Sequence, residues 1–209
     1  MSIALAVLLS ILPCSIRIAI MRSKGAKIGS KVNLGFLSLL LADQIEIGDD
    51  TCLAPLCFVK ARRVQIGKRV RIGALSYIST GQIVLGDDTI ISKFAIVAGH
   101  IGRNSELITG KRCWIFPFCW IDTTRQVHLE DEVGVGGASY IFTHGFWQSI
   151  LEGFPVAFGP VIIKRNVWLP WRVLVLPNVT IGEYSTIAAG AVINKDIPPY
   201  SLAGGCLPR

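Results

Sequence analysis

The sequence predicts an all-β solenoid: short parallel strands coiled into a triangular prism, preceded by a short hydrophobic helix. Three observations carry this. An aliphatic residue returns every six positions, most plainly at Ile163, Leu169, Val175, Ile181, Ile187 and Ile193. Four residues further on runs a second column of small or β-branched side chains, among them Val167, Val173, Val179, Ser185 and Ala191. Upstream the count restarts in triplets, Ile47–Leu53–Val59, Ile66–Ile72–Ile78 and Leu85–Ile91–Val97, each beginning 19 residues after the one before. An α-helix repeats near 3.6 residues and a strand near 2, so a step of six belongs to neither.

Taken in order, residues 1–24 read as one hydrophobic or amphipathic helix. Ile3 to Leu12 is apolar apart from Ser10, and Pro13, Arg17, Arg22 and Lys24 follow. The run falls short of the roughly 20 apolar residues of a bilayer span. It has no basic stretch before it and no small-residue cleavage site after it. Two roles fit equally: lying in a membrane interface through residues 1–22, or capping the core.

Residues 25–205 form the solenoid. One large and one small inward side chain per six residues describe a short strand and a corner. Three such edges close a triangle of 18 residues, and an extra residue explains the 19. Glycine follows the aliphatic position at 48, 67, 73, 86, 136 and 182, often with Asp, Lys or Glu next, which is turn chemistry. Stacked as parallel strands, seven or eight coils give a prism of about 35 Å. A further triplet is Leu129–Val135–Ile141, and Arg63 and Gln82 are exceptions in the second column. The stretch AGHIGRNSELI, residues 98–108, does not fit the register. Residues 206–209 are a short tail.

Six cysteines show no CxxC pair and no Cys/His zinc spacing. Cys57 falls in the small column, as do Cys113 and Cys119 if Thr109, Ile115 and Ile121 are aliphatic-column positions; all three read as core fillers. The net charge of +7 is scattered, with short clusters at Lys60–Arg63 and Lys68–Arg71. No recognition motif accompanies it, so nucleic acid is not the expected partner.

The heaviest break in the count follows Ile141. The loop THGFWQSILEGFPVAFGP, residues 143–160, separates it from Ile163. Long loops on a repeat scaffold are usually functional. This one protrudes over 145–160 and carries Phe146, Trp147, Phe154 and Phe158, with His144 at its mouth. Imidazole titrates near neutral pH and suits general-base work. By itself His144 reads first as an ordinary exposed corner histidine. His100, in the irregular stretch, is a distant second base, and His128 is a surface residue.

Stacked triplets of an aliphatic residue, glycine and four more resemble the hexapeptide-repeat acyltransferases over roughly residues 28–205. The closing stretch IGEYSTIAAGAVINKDIPPYSLAGG looks like the last coils of sugar O-acetyltransferases of the maltose, galactoside and glycan-biosynthesis type. The resemblance implies a left-handed parallel β-helix. It implies a transferase that uses acetyl-CoA as donor and needs no metal, and a homotrimer with its sites between subunits. The acceptor it implies is a hydroxyl or amine of a small molecule or glycan, in polysaccharide biosynthesis. A histidine in a Thr-His-Gly setting is the family's general base, which makes His144 the catalytic expectation. Backbone N–H groups would stabilise the oxyanion of direct transfer in a ternary complex.

For the acceptor, Asp122 in WIDTT matches a family position that orients it, and reads nearly as well as a solvated corner residue. Trp147 and Glu152 in the loop join it as substrate-binding expectations, Glu152 alternatively orienting the imidazole. Phe116-Pro117-Phe118 stands where the family often has an Asn. Along the donor path, Ala189 matches the small residue beside the pantetheine arm, and Asn194 and Lys195 match the pair before Asp-Ile-Pro-Pro, Lys195 facing phosphate. Trp171, within VWLPWRV, replaces a small residue and either reshapes the thioester channel or stacks on the ligand. The family's basic segment after this point is absent from the sequence, so a donor of phosphate contacts is missing unless Arg172 or Arg209 substitutes. A cytoplasmic protein, peripheral at the inner face of the cell membrane, follows from the donor and the N-terminus together. Two other readings are a non-catalytic β-helix scaffold and a γ-carbonic-anhydrase-like metal enzyme. The second has only His100, His128 and His144 to offer as histidine ligands, with no close pair.

Overall fold

Two inward side chains in every six residues leave room for only one kind of closed turn, and the chain makes it about nine times. The computed structural model describes residues 3–100, 102, 104–145, 150–154 and 156–205. They form a left-handed parallel β-helix with three faces of eight, nine and eight strands. The first face runs from Lys27–Ile28 to Thr180–Ile181, the second from Asn33–Leu34 to Leu202–Ala203, and the third from Leu39–Leu41 to Val192–Ile193. Each strand pairs with the equivalent strand one coil away, as Ile72 with Ile91 and Ile91 with Ile115.

The aliphatic column fills the axis. Leu53, Ile72, Ile91, Ile115 and Leu169 are fully buried, and Thr51, Ser76, Ala95 and Ser185 fill the second column between them. Cys57, Cys113 and Cys119 lie in the same interior. Burial pushes the Cys57 thiol up to about 12 and those of Cys113 and Cys119 up to about 11, so they stay protonated and inert.

One expectation is corrected and two irregularities are explained. Nine turns replace seven or eight because the count began at Ile47; Ile28, Leu34 and Leu40 make an earlier buried coil, and the strand Leu202–Ala203 adds a rung at the other end. Arg63 and Gln82 leave the second column because the extra residue of those coils sits just there. Val64 and Ile83 take the inward places and are fully buried. The irregular stretch falls at a corner, and the chain is back in register at Glu106–Thr109.

All insertions enter at one corner, between the third face and the first. Paired first-face residues are offset by 19 at Arg63↔Gln82, by 24 at Gln82↔Glu106 and by 34 at Val127↔Val161. The largest insertion begins and ends as a short antiparallel pair, His144–Gly145 against Ala157–Phe158. Elsewhere one residue per corner adopts positive φ. At the first-to-second corner these alternate in charge: Lys31, Asp50, Arg69, Asp88, Arg112 and Glu132. Arg69 reaches Asp88 at 2.6 Å, and Arg112 pairs with Glu132. At the second-to-third corner most are apolar and partly exposed, as Leu56, Leu75, Phe94 and Phe118 are, and Arg172 is a charged exception.

The N-terminal segment holds two helices where one was expected, α1 at Ile3–Ser10 and α2 at Cys14–Ser23. Pro13 parts them at φ −51° and ψ 142°, an extended conformation outside the helical region. They cap the open end of the first coil. The buried Arg17 donates from Nη1 to Leu34 O at 3.2 Å and Gly35 O at 2.9 Å, and from Nη2 to Ser38 Oγ at 3.1 Å. Arg22 Nη2 donates to Ile28 O at 2.6 Å and Gly29 O at 2.9 Å. Carbonyls that have no earlier coil to bond thus find donors.

Ile121, fully buried in the column one residue before Asp122, tests this packing. Ile121→Ala should lower the free energy of chemical unfolding by about 2–5 kcal/mol; a change within experimental error would mean the column relaxes around the void.

Candidate active site

The widened corner gathers the chemistry. The third face carries Trp120–Asp122 on one coil and Tyr140–Ile141 on the next, with Trp120 paired to Tyr140 and Ile121 to Ile141. Stacking therefore places Asp122 beside the exit of the following strand, where Thr143 and His144 begin the long insertion. Asp122 Oδ2 lies 2.7 Å from His144 Nδ1. The same oxygen accepts Thr143 Oγ1 at 2.7 Å and Thr143 N at 2.9 Å. Oδ1 accepts Thr124 Oγ1 at 2.8 Å and Thr124 N at 3.1 Å.

Asp122 is 3% exposed. Burial by itself raises its pKa, but the bonds from Thr143, His144 and Thr124 outweigh this and hold the carboxyl below its ordinary range. An ionised Asp122 makes Nδ1 of His144 the donor. The imidazole lone pair is then on Nε2, which has no protein partner among the described residues. The ring stacks against Phe158 with centroids 6.0 Å apart and planes 19° apart. Gly99, one coil below, leaves room for the pair: a Cβ there would sit 2.4 Å from Thr124 N and 2.8 Å from Asp122 Oδ1.

A cavity of about 490 Å³ opens beside the imidazole, lined among others by Trp120, Phe142, His100 and Arg125. Arg125 lies over the Phe158 ring, 4.6 Å from its centroid, and has no carboxylate partner among the described ion pairs. Its backbone N–H donates to Thr143 Oγ1 at 2.9 Å. His100 N donates to Thr124 Oγ1 at 3.1 Å, which ties the irregular stretch to the same network.

The structure redistributes the expected roles. The carboxylate that meets the imidazole is Asp122, expected beside the acceptor. Glu152, the other carboxylate weighed for that place, is exposed on a single 3₁₀ turn, Ile150–Glu152, and has no described contact with His144. Trp147 lies outside the described residues, as does Arg209. Phe116-Pro117-Phe118 belongs to a different corner, with Phe116 stacked on Trp114 at 4.6 Å. His128 is a half-buried residue of the first face, between Ile108 and Ile162.

Trp171, Arg172 and Ala189 are exposed at the second-to-third corner of adjacent coils, where Gly190 N donates to Trp171 O at 3.0 Å. Trp171 covers Gly137, where a Cβ would meet its ring at 2.4 Å. Asn194 and Lys195 are exposed at the same corner as His144, two coils further on, roughly 10 Å along the axis at 4.8 Å per coil. Among the described residues no three His, Cys, Asp or Glu gather as a metal site. Thr124, Arg125, Phe142, Thr143 and Phe158 were not singled out as site residues from sequence. Only Thr124 had a signal, since Asp-x-Thr favours a side-chain-to-backbone turn.

Residues 160–195 match the family described as bacterial transferase hexapeptide (six repeats). A Staphylococcus aureus (strain COL) protein, assigned as an acetyltransferase by its name only, is 59% identical over 54 residues, covering 26% of this chain and 27% of its own. The galactoside O-acetyltransferase of Escherichia coli (strain K12) is 48% identical over 46 residues, covering 22% and 23%. The chain thus spans about a quarter of the length of these curated relatives. Among solved structures, an N-acyltransferase of Bacillus cereus in complex with dTDP and 3-hydroxybutyryl-CoA superposes with a TM-score of 0.51 at 14% identity, covering 90% of this chain and 83% of that one. The UDP-N-acetylglucosamine acyltransferase of Francisella novicida gives 0.51 at 22% identity, covering 86% and 63%. At these identities the likeness is one of fold.

The depressed carboxyl of Asp122 sets a pH dependence. Its stabilising share is present above about pH 4, the unfolded value, and is lost as pH falls through the lower folded one. Asp122→Asn should unfold at lower denaturant than wild type at neutral pH. The gap should narrow on acidification below about pH 4; a gap that does not change with pH would assign the loss to packing instead.

Proposed function

We propose that the chain is an acyl-CoA-dependent transferase, taking acetyl-CoA as donor and a sugar hydroxyl or amine in glycan or polysaccharide biosynthesis as acceptor. The observation that carries this reading is the His144–Asp122 pair at 2.7 Å beside the corner cavity. His144 Nε2 takes the proton from the acceptor. The freed oxygen or nitrogen attacks the thioester carbonyl, the C–S bond breaks, and the proton passes to the departing thiolate. Asp122 holds the tautomer and offsets the charge of the imidazolium as it forms. No covalent enzyme intermediate is required.

The walls suit both substrates. Trp120, Phe142 and Phe158 offer apolar faces to a sugar ring. Arg125 gives the acceptor side a cation. The donor would lie along the third face, between the exposed Trp171, Arg172 and Ala189 on one edge and Asn194 and Lys195 on the other. Such an arrangement sets Lys195 to meet phosphate. The apolar second-to-third corner, with the exposed Tyr77, Ile96 and Trp120 beside it, supports association into a homotrimer with the site between prisms. A CoA-thioester donor supports a cytoplasmic reaction, and the apolar N-terminal helices support a position beside a membrane.

Calorimetric titration with acetyl-CoA and with CoA comes first. Binding should weaken with salt and on Lys195→Ala. With an acceptor found by screening for thiol release, His144→Ala should lower kcat by about 10²–10⁴ and leave donor affinity unchanged. Absence of binding by the folded protein would put the non-catalytic scaffold reading in first place.

A further inference from the structure

The N-terminal end of the prism carries an apolar surface that the described fold does not cover. Among the described side chains of α1, Ala6 and Ser10 are buried on the first coil. Val7 and Leu8 of the same helix are exposed, continued by Ile11 and Leu12; Leu8 is 66% and Ile11 57% exposed. Ile16 of α2 and Phe36 of the first coil are exposed beside them. Phe36 is held there by its neighbour, since Leu37 N donates to Ser10 O at 3.2 Å. A helix apolar all round needs a second apolar partner.

Charge says which partner. Residues 1–42 hold five of the chain's 21 Lys and Arg and none of its 14 Asp and Glu. Arg17 and Arg22 are committed to first-coil carbonyls. Lys24 and Lys31 are exposed and have no carboxylate partner among the described ion pairs, and Lys27 is exposed beside Glu46. A second copy meeting end to end would set these cations against their own kind. An acidic protein surface without apolar contact would leave Leu8 and Ile11 in water. An anionic bilayer satisfies both at once.

We propose that this end is a docking surface for anionic lipid, with Val7, Leu8, Ile11, Leu12, Ile16 and Phe36 entering the headgroup–acyl boundary and the lysines lying against the phosphates. Among the described residues no helix is long and apolar enough to cross a membrane, so the contact is in the plane. The arginine bonds keep α1 and α2 on the prism, which docks as a rigid end plate. Its axis then stands away from the bilayer. The coil of His144 is five rungs above the first third-face strand, roughly 24 Å at 4.8 Å per rung. An acceptor reaching His144 is therefore a sugar carried clear of the headgroups on an extended glycan, or a diffusible molecule, and not a group at the lipid phosphate. This docking deepens the membrane placement proposed above and does not depend on the transfer chemistry.

Deleting the helices would uncap the first coil, so point variants are the test. The full chain is sedimented with vesicles of phosphatidylcholine alone and with vesicles containing phosphatidylglycerol. Binding should require phosphatidylglycerol and fall with salt. Lys24→Ala and Lys31→Ala should each weaken it roughly fivefold. The Leu8→Glu, Ile11→Glu double variant should abolish it while circular dichroism and acetyl-CoA affinity match wild type. Equal binding to both vesicles, or none, overturns the proposal. So does a concentration-dependent doubling of mass that the double variant removes, because a second copy would then cover the face.

Discussion

Every coil depends on its neighbours for its backbone hydrogen bonds, and this one constraint organises the molecule. A strand of two to four residues cannot satisfy itself, so it must sit in register with a strand above and a strand below. The register holds only if the inward side chains stack, large on large and small on small. Inside the prism there is therefore no place for an added residue. Additions go to a corner, and here they go to the corner between the third face and the first. The two ends are the weak points of such a stack. At one of them Arg17 and Arg22 supply donors to carbonyls that lack a preceding coil.

The same constraint makes the His144 corner precise. Asp122 and His144 come from successive coils whose separation is fixed by the ladder between Trp120–Ile121 and Tyr140–Ile141. Neither side chain has to search for the other. Threonines on both coils, Thr124 and Thr143, complete the carboxylate's shell and keep it ionised although it is buried. A buried carboxylate with a complete shell holds one imidazole tautomer without moving, which is what a positioned base needs. The insertion adds Phe158 against the ring, so the loop that widens the corner also fixes the imidazole's plane.

Most of the fold was legible because its period is carried by residue type. Ile91 and Ile187 declare themselves by spacing alone. What spacing could not show is where a nineteenth residue sits, so Arg63 stood in a column that Val64 fills. It also missed the coil of Ile28, Leu34 and Leu40, whose corner lacks the repeating Gly-Asp turn. The site was legible in its histidine and only half in its carboxylate. Asp122 was visible as a corner residue one coil away; which way it turned depended on Thr124 and Thr143, whose hydroxyls read in sequence as ordinary polar loop residues. Arg125 and Phe158 meet across 33 positions of chain, and neither belongs to the repeat. Trp147 lies outside the described residues, so its place in the site rests on sequence alone.

Two edges repeat the same positive-φ device with different side chains, mostly charged along one and mostly apolar along the other, and the difference has a consequence. A non-glycine residue in the left-handed region costs about 1–2 kcal/mol. Along the charged edge, pairs such as Arg69 with Asp88 return part of this in water, each exposed pair contributing modestly. Along the mostly apolar edge, Leu56, Leu75, Phe94 and Phe118 bear the same backbone cost and remain 37% to 57% exposed. Phe94 and Phe118 stack on each other at 5.2 Å, which covers one face of each ring. In the trimer proposed above, further cover for this edge would come from outside the coil. A neighbouring prism laid on this edge would supply it, and would wall the third face that separates the edge from His144. The exposed apolar residues of this edge are thus consistent with the assembly proposed above, on the side where a donor channel would need its second wall.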